Sequence, residues 1–373
     1  MIDLGVTSNQ LDGDAVIEDM PQFDFGIFNQ HPAEPAIGFD EIQAEVRSCL
    51  QSIEESDSHS FFLVKPASHW IEEAKTMPIP EMLFGEFWFE GELCFLYSDT
   101  NLGKSILAVQ IGNSISTGES VKGFKLEASK QKVLYFDFEL SSKQFEARYS
   151  DNYQDHYQFC SDFLRAEINP DNLMSEGLKD FEAYLNYSLE KAIVQTGARI
   201  LIIDNVTYLR NETERAKDAL PLMKHLKALK QKFGLSILAL AHTPKRDLSK
   251  PLTRNDLQGS KMLINFCDSA FAIGESFKDK NLRYLKQIKA RNTDIIYDGE
   301  NVCVWQIEKP HNFLRLEFIG FGVEREHLKA QSENEKSELI ERVKNLSVEG
   351  KSQRQIASAL GISVGAVNKY LKK

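Results

Sequence analysis

The chain has 373 residues, of which 42% are hydrophobic and 27% are charged, a composition that is ordinary for a globular protein. Its 55 Asp and Glu residues outnumber its 44 Lys and Arg residues, which gives a formal net charge of −11. Because proteins that coat nucleic acid through bulk charge are basic, any nucleic-acid contact of this chain must be local. No apolar run approaches the roughly 20 residues of a membrane-spanning helix, and the sequence does not start with a secretory signal. We expect a cytoplasmic protein with no membrane partner.

The cysteines stand singly, and no pair has the C-x-x-C spacing of a structural zinc or redox site. They are Cys49, Cys94, Cys160, Cys267 and Cys303. We predict that all of them are reduced thiols.

Residues 1–57 are predicted to be an acidic, flexible N-terminal segment. Met1 to Asp40 contains no Lys or Arg, and its acidic residues stand among Pro, Gly and Asn without an apolar period. A short helix is predicted over Glu41 to Ile53. Lys65 to Met82 is predicted to be an extended lead-in, because three prolines interrupt it.

Between residues 58 and 325, short apolar runs alternate with longer amphipathic stretches. The runs are LCFLYS at Leu93, KVLYFDFE at Lys132, ARILIIDNV at Ala198, LSILALAHT at Leu235 and DSAFAIG at Asp268. This alternation predicts an α/β domain with a mostly parallel sheet and flanking helices. The runs RYLKQIKA at Arg283 and VCVWQIE at Val302 are more polar and predict edge or hairpin strands.

The first of these strands leads into a phosphate-binding pattern. Its residues are Ser98, Asp99, Thr100, Asn101, Leu102, Gly103, Lys104, Ser105 and Ile106, and Ser98 replaces the usual first glycine of a P-loop. In a P-loop, backbone N–H groups and the start of the next helix face the phosphates. We predict that Lys104 reaches the β- and γ-phosphates of ATP and that the Ser105 hydroxyl binds Mg²⁺.

Two later strands end in carboxylates. ILIID ends at Asp204. P-loop enzymes have a metal-binding acidic residue at the end of this strand, so Asp204 is predicted to bind Mg²⁺ together with Ser105. LYFDFELS presents Glu139 just beyond its apolar part. Asp137 stands close by in the same pattern, which leaves open that Glu139 is a surface carboxylate.

The order and spacing of these residues resemble the RecA-like ATPases, and within them the DnaB-type and plasmid RepA-type hexameric helicases. The resemblance covers about Lys65 to Gly322. It implies that Glu139 polarises the attacking water and that Asp204 is the acid on the metal side. It also implies that His242, at the end of ALAH, senses the γ-phosphate.

The segment KQIKARN resembles the K-x-R-N hairpin with which a ring subunit of that branch reaches its neighbour's nucleotide. The resemblance implies that Lys289 and Arg291 act in trans and that the active form is a homo-oligomer, namely a hexamer. The alternative is an exposed basic edge strand.

The polar segment after His242 resembles the second DNA-binding loop of the RecA fold. Its basic residues are Lys245, Arg246, Lys250, Arg254 and Lys261, and they are predicted to contact single-stranded DNA in a central pore. A solvated loop explains the same charges. The segment beginning at Arg210 has a weaker claim to be the first such loop.

Residues 326–373 are predicted to contain a linker and a small helical module, and the charged residues from Glu324 to Lys336 are predicted to form the linker. Ser352 and Gln355 have the spacing of a capping box, Gly361 permits a tight turn, and Ser363 caps the last helix. This pattern resembles the helix-turn-helix of resolvases and bacterial regulators. The resemblance implies duplex DNA binding through Arg354, Asn368 and Lys369. A protein-docking module is the alternative.

The leading hypothesis is an ATP-driven motor on DNA, such as the helicase of a plasmid, phage or mobile element. A second hypothesis is a nucleotide-switched DNA-binding regulator that does not translocate. A third is an assembly ATPase that loads or inhibits a replication protein through the acidic N-terminal segment.

Overall fold

The structure is a computed structural model that describes residues 62–169, 181–206, 208, 216–244, 246–257, 261–330 and 333–372. Within these ranges, the side chains of 181–183, 216–219, 261–262 and 333–338 are not described. The chain divides into two units, Met1–Met77 and Pro78–Lys373. The predicted acidic segment and the predicted helix over Glu41 to Ile53 lie outside the described residues.

The described part of the first unit contains helix α1 (Ala67–Lys75). The prediction of an extended lead-in is therefore wrong for these residues. Pro66 immediately precedes the helix. A proline is tolerated there because the first N–H groups of a helix have no intrahelical partner. Lys65 and Glu73 form an ion pair of 2.6 Å within this unit.

A nine-stranded sheet forms the centre of the second unit, with the strand order β13-β12-β11-β10-β3-β9-β8-β4-β7. From β7 to β10 all neighbours are parallel, whereas β10 to β13 are antiparallel. The strands are β3 (Leu93–Ser98), β4 (Val133–Asp137), β7 (Phe163–Ala166), β8 (Ile200–Asp204), β9 (Ser236–His242), β10 (Ser269–Glu275), β11 (Leu282–Lys289), β12 (Val302–Glu308) and β13 (Arg315–Gly322). Two small hairpins accompany the sheet, β1 (Met82–Phe84) with β2 (Trp88–Phe89) and β5 (Ser150–Asp151) with β6 (Asp155–His156).

Helices cover both faces of this sheet, because alternate residues of its buried strands point in opposite directions. In β3, Cys94 and Leu96 belong to one apolar cluster, whereas Phe95 belongs to the other. The first cluster includes residues of α2 (Lys104–Thr117), and the second includes residues of α4 (Phe181–Thr196), α5 (Ala216–Phe233) and α6 (Lys261–Phe266). The predicted α/β fold class is confirmed. Among the described helices, none combines the length and apolarity needed to cross a bilayer.

The positions of the polar strands differ in part from the prediction. β11 and β12 are antiparallel hairpin strands, as predicted, but each lies between two others and neither is an edge. The edges are β7 and β13, which the sequence analysis did not identify. β7 has only four residues, and β13 has an irregular burial pattern, so neither shows the alternation by which a strand is recognised.

The predicted linker from Glu324 to Lys336 is wrong at its beginning. Glu324 is only 2% exposed. Its carboxylate accepts hydrogen bonds from the Leu252 backbone N–H at 2.6 Å and from the Lys286 ammonium at 2.5 Å. A buried carboxylate with these partners fixes its segment to Leu252 and to β11.

Three helices follow: α7 (Glu333–Val348), α8 (Gln353–Leu360) and α9 (Val364–Leu371). The predicted capping box of Ser352 and Gln355 is present, and Gly361 ends α8 with a φ of 62°. Ser363 accepts a hydrogen bond from the Ala366 N–H and so caps α9. Val343, Ile356 and Val367 are fully buried at the centre of the three helices. DNA binding by this module stays a prediction.

Candidate nucleotide site

The P-loop lies between β3 and α2, and two of its residues have left-handed backbone conformations. Asn101 has a φ of 61° and Gly103 a φ of 98°. Asn tolerates such a conformation because its short side chain can hydrogen-bond locally, and glycine adopts it without steric cost. Gly103 directly precedes α2, so the chain turns there and directs the first N–H groups of the helix into the loop.

Ser98, at the position of the usual first glycine, is the last residue of β3 and lies opposite His242 of β9. It is not among the residues with a positive φ, so no left-handed conformation requires glycine here. Its carbonyl accepts hydrogen bonds from the Lys104 ammonium at 3.1 Å and the Thr243 N–H at 2.9 Å. Ser98 therefore stays within the strand and leaves the loop geometry intact.

The structure distinguishes Asp137 from Glu139. The Asp137 carboxylate is buried, forms an ion pair of 2.9 Å with Arg165, and accepts hydrogen bonds from the backbone N–H groups of Glu139 and Leu140. Asp137 thus fixes the turn that follows β4. Glu139 faces the cleft beside Lys104 and is the carboxylate available to a substrate.

Asp204 ends β8 and is fully buried. The Tyr135 hydroxyl donates to its Oδ2 atom at 2.7 Å, and Oδ1 has no hydrogen-bond partner among the described residues. Burial raises the pKa of this carboxyl to about 6, although the hydroxyls of Ser105 and Tyr135 oppose the rise. An orphaned carboxylate oxygen near a serine hydroxyl is the type of oxygen site that Mg²⁺ prefers. The residues present fit a magnesium ion held by Ser105 and Asp204.

A hydrogen-bonded chain joins Lys104 to Glu139 through His242. The Lys104 ammonium donates to Nδ1 of His242 at 3.1 Å, so Nε2 must carry the ring proton. Nε2 lies 3.2 Å from Oε1 of Glu139, and the side-chain amide of Asn205 donates to the same oxygen. The hydrogen bond from His242 is the main reason that the pKa of Glu139 lies below its usual range. Glu139 is therefore held as a carboxylate beside the lysine.

These residues line a cleft of about 390 Å³. Its lining is formed by Thr100, Asn101, Gly103, Lys104, Ser105, Ile106, Glu139, Arg148 and His242. The predicted nucleotide residue Leu102 instead packs in the apolar core, and Asp99 caps the loop by accepting from the Thr100 N–H at 2.8 Å. Desolvation holds the pKa of Lys104 below its usual value, while the nearby carboxylates oppose that shift.

The sequence analysis missed Arg148 and Asn205. Arg148 ends α3 (Ser142–Arg148), the helix that follows Glu139, and its Nη1 atom is buried without a partner among the described residues. A guanidinium nitrogen that is buried without a partner at a cleft is suited to bind an anion. Arg148 stands nine residues after Glu139 in no recognised motif. The sequence could have indicated Asn205, because this residue directly follows the predicted site residue Asp204.

A family model of the AAA domain matches residues 63–247. This segment is similar to an AAA domain. The likeness supports a P-loop ATPase domain of the RecA-like type, and the matched residues include Lys104, Glu139, Asp204 and His242. A search among curated proteins found no match to the chain.

Lys289 and Arg291 lie beyond the matched residues 63–247, at the opposite end of the sheet from the cleft. Lys289 pairs with Ala270, near the start of β10, whereas the P-loop follows the end of the parallel strand β3. The Lys289 ammonium donates to the carbonyls of Ile264 (2.6 Å) and Cys267 (2.7 Å) at the end of α6. Arg291 is about half exposed and pairs with Asp268 at 3.0 Å. Neither reaches the nucleotide cleft of its own chain.

The residues predicted to contact DNA in the pore lie partly outside the description, namely Lys245 and the side chain of Lys261. Arg246 donates to the Lys250 carbonyl at 3.2 Å, and Lys250 donates to the Gly361 carbonyl at 2.7 Å. Arg254 is exposed in a short 3-10 turn. In the terminal module, Arg354, Asn368 and Lys369 are all exposed.

Proposed function

We propose that the chain is an ATP-hydrolysing motor that acts on DNA as a homo-oligomer, of the DnaB and RepA hexameric helicase type. The observation that carries this proposal is the position of the two residues that hold Glu139. Asn205 and His242 each stand where a strand of the AAA domain, β8 or β9, runs into a polar segment. A carboxylate that activates water is therefore connected directly to the segments predicted to meet DNA.

The hydrolytic chemistry follows from the side chains of the cleft. Lys104 and the N–H groups at the start of α2 bind the phosphates, and the Glu139 carboxylate accepts a proton from the attacking water. His242 and Asn205 orient that carboxylate through their hydrogen bonds. Ser105 and Asp204 would hold Mg²⁺, which neutralises negative charge on the phosphates. Arg148, which lines the same cleft, adds a second cation there.

The charge of the terminal module supports a DNA substrate. Residues 350–373 include Lys351, Arg354, Lys369, Lys372 and Lys373, and they include no Asp or Glu. In a chain of net charge −11 this is a local basic surface, and phosphate contacts depend on such a surface. Recruitment to duplex DNA through α8 and α9, followed by action on a single strand in the pore, fits this arrangement.

Steady-state ATPase measurements on the wild type and Lys104→Ala test the proposal, with single-stranded DNA, duplex DNA or neither. The mass is measured in parallel with ATP present. We expect turnover that needs Lys104, rises with single-stranded DNA and accompanies a hexamer. A strand-displacement assay completes the test. Turnover that is indifferent to DNA, or a chain that binds no DNA, would contradict the motor function.

A nucleotide-switched DNA-binding regulator is the second candidate, and one contact favours it. Lys250, in the segment after His242, donates to the carbonyl of Gly361, in the turn between α8 and α9. A change at His242 on nucleotide binding could thus be transmitted to the terminal module through this segment. Glu139→Gln distinguishes the two candidates. A motor loses strand displacement, whereas a regulator remains locked on its duplex site.

A further inference from the structure

One loop holds the backbone on both sides of Arg148. It consists of residues 309–314, which join β12 to β13, and we call it the hairpin loop. The Lys309 ammonium donates to the carbonyl of Ala147 at 2.7 Å and to that of Ser150 at 2.5 Å. A carbonyl on each side of Arg148 in the chain is therefore bound by the same cation.

This position suits a lysine because α3 ends at Arg148. The last carbonyls of a helix have no intrahelical partner, and the partial negative charge at that end attracts a cation. The Leu314 N–H also donates to the Arg148 carbonyl, at 3.1 Å. Three hydrogen bonds from the hairpin loop thus fix the backbone from which the Arg148 side chain reaches the cleft.

An aromatic side chain of the hairpin loop packs on the same segment. The Phe313 ring lies 5.2 Å from the Tyr149 ring and 4.4 Å from the Tyr157 ring, measured between centroids. Tyr149 directly follows Arg148 and is only 3% exposed. Because such rings are closely packed, a shift of the hairpin loop would also shift the end of α3.

The two strands that flank the hairpin loop contact the P-loop side of the cleft. A Cβ atom on Gly103 would lie 3.4 Å from the δ-methyl carbons of Ile307 and Leu316. The Gln110 amide donates to the Leu316 carbonyl at 2.9 Å and accepts from the Leu316 N–H at 3.0 Å, which ties β13 to α2. The hairpin of β12 and β13 therefore contacts both the P-loop and the segment that carries Arg148.

We propose that Lys309 is a positioning residue for ATP hydrolysis, which acts through Arg148 and sets the distance between that guanidinium and the phosphates on Lys104. This inference rests on the proposed function, because it requires Arg148 to stabilise the transferring phosphoryl group. Lys309 does not line the cleft and lies beyond the matched residues 63–247. A misplacement of about 1 Å in a catalytic group can cost about 100-fold in rate, so a contact outside the cleft can control turnover.

The substitution Lys309→Met tests the inference, because it keeps an unbranched side chain of similar length but removes the donor. Lys309 is exposed, so the substitution opens no cavity. We expect kcat for ATP to fall about 10-fold and KM to change less than about twofold, since the contacts of Lys104 with the bound nucleotide remain. Lys309→Arg should recover most of kcat, because a guanidinium can donate to both carbonyls.

Lys132→Met is the matched control. The Lys132 ammonium also donates to a carbonyl at the end of a helix, that of Thr196 at 2.9 Å, but it stands before the start of β4 and not at the cleft. We expect its kcat and KM to match those of the wild type. Thermal unfolding of both methionine variants checks that they are folded.

A double substitution separates positioning from a merely structural role. In the Arg148→Ala background, Lys309→Met should lower kcat by less than about twofold, because its effect passes through the missing guanidinium. A further fall of about 10-fold in that background would overturn the inference, and so would a Lys309→Met variant with the kcat of the wild type.

Binding of ADP with aluminium fluoride gives a measurement that does not depend on turnover. This complex mimics the transferring phosphoryl group, so Lys309→Met should bind it about 10-fold more weakly than the wild type and bind ADP alone equally well. Equal affinity of the two proteins for the fluoride complex would overturn the positioning role. A wild type that binds the complex without turning over ATP would instead contradict the proposed hydrolysis, and a weaker Lys309→Met complex would still support the positioning of Arg148.

Discussion

Nε2 of His242 lies 3.2 Å from Oε1 of Glu139, while Nδ1 of the same ring accepts a hydrogen bond from Lys104. The imidazole therefore bridges Lys104, which is proposed to bind phosphate, and Glu139, which is proposed to activate water. A movement of the γ-phosphate that shifts Lys104 would therefore change the position of the Glu139 carboxylate through this ring.

Replacing His242 with Ala should lower kcat and change its pH dependence. The hydrogen bond from His242 is the largest cause of the lowered pKa of Glu139, so its loss raises that pKa towards the usual value of 4.5. A base with a raised pKa becomes protonated at a higher pH, so the acidic limb of the pH–rate profile should move upwards. The profile of kcat measured from pH 4 to 8 checks this. His156→Ala, at an exposed histidine outside the cleft, is the control.

Arg148→Ala should reduce kcat by about 100-fold, because removal of one transition-state donor typically costs that much. Arg148→Lys should recover only part of the loss, since an ammonium cannot reproduce the guanidinium fork. Lys143→Ala, on the exposed side of the same helix, should have the activity of the wild type. Equal activity of Arg148→Ala and Lys143→Ala would show that Arg148 does not contact the nucleotide.

Ser98→Gly should have little effect, whereas Gly103→Ala should be destabilising. Ser98→Gly removes the hydroxyl that lies 3.2 Å from the Lys104 ammonium but keeps the carbonyl contact, so nucleotide affinity should change by less than about threefold. Gly103→Ala places a Cβ on a residue with a φ of 98°, which costs at least about 1 kcal/mol. Calorimetric titration of ATP and thermal unfolding of both variants distinguish these effects. A tighter-binding Ser98→Gly would mean that the first glycine of the P-loop has a role beyond backbone freedom.

Two substitutions in the terminal module should affect duplex binding differently. Arg354→Ala should weaken binding to all sequences and make the slope of log K against log salt shallower by about one, because one phosphate contact is lost. Asn368→Ala should keep that slope and relax sequence preference, since an amide reads a base edge. Fluorescence anisotropy across a salt series measures both effects. If neither substitution alters duplex binding, the module is a protein-docking domain.

The stability of the chain should fall between pH 7.5 and pH 5.5 because of His327. This ring is 2% exposed and bonded to Ser276 at 2.8 Å, and burial holds its pKa below the ordinary value of 6.5. The unfolded chain therefore takes up a proton below about pH 6.5 that the folded chain takes up only at a lower pH, so stability is lost as the pH falls. His327→Phe should be less stable at both pH values because Ser276 loses its partner. However, its free energy of unfolding, measured in urea, should change less with pH than that of the wild type.

The sequence by itself determined the class of fold and most of the ATPase cleft. Buried parallel strands are continuous apolar runs, and the P-loop has a local spacing that its backbone geometry requires. Both can therefore be recognised from the amino-acid sequence. Lys104, Ser105 and Glu139 follow strands of the same parallel sheet, and Asp204 and His242 end two others. Their convergence was predictable because the carboxyl ends of such strands meet at one edge.

Only the tertiary structure decided which carboxylate after β4 faces the cleft, because the choice depends on Arg165, 28 residues beyond Asp137 in sequence. It also revealed Arg148, because the cleft that this guanidinium lines is formed by strands that are distant in sequence. The edge strand β13 and the buried Glu324 depend in the same way on contacts between residues far apart in the chain. The apolar periodicity of a segment shows which of its residues face the core. Strand pairing, the burial of a single charge and the exposure of an apolar cluster depend instead on which segments become neighbours.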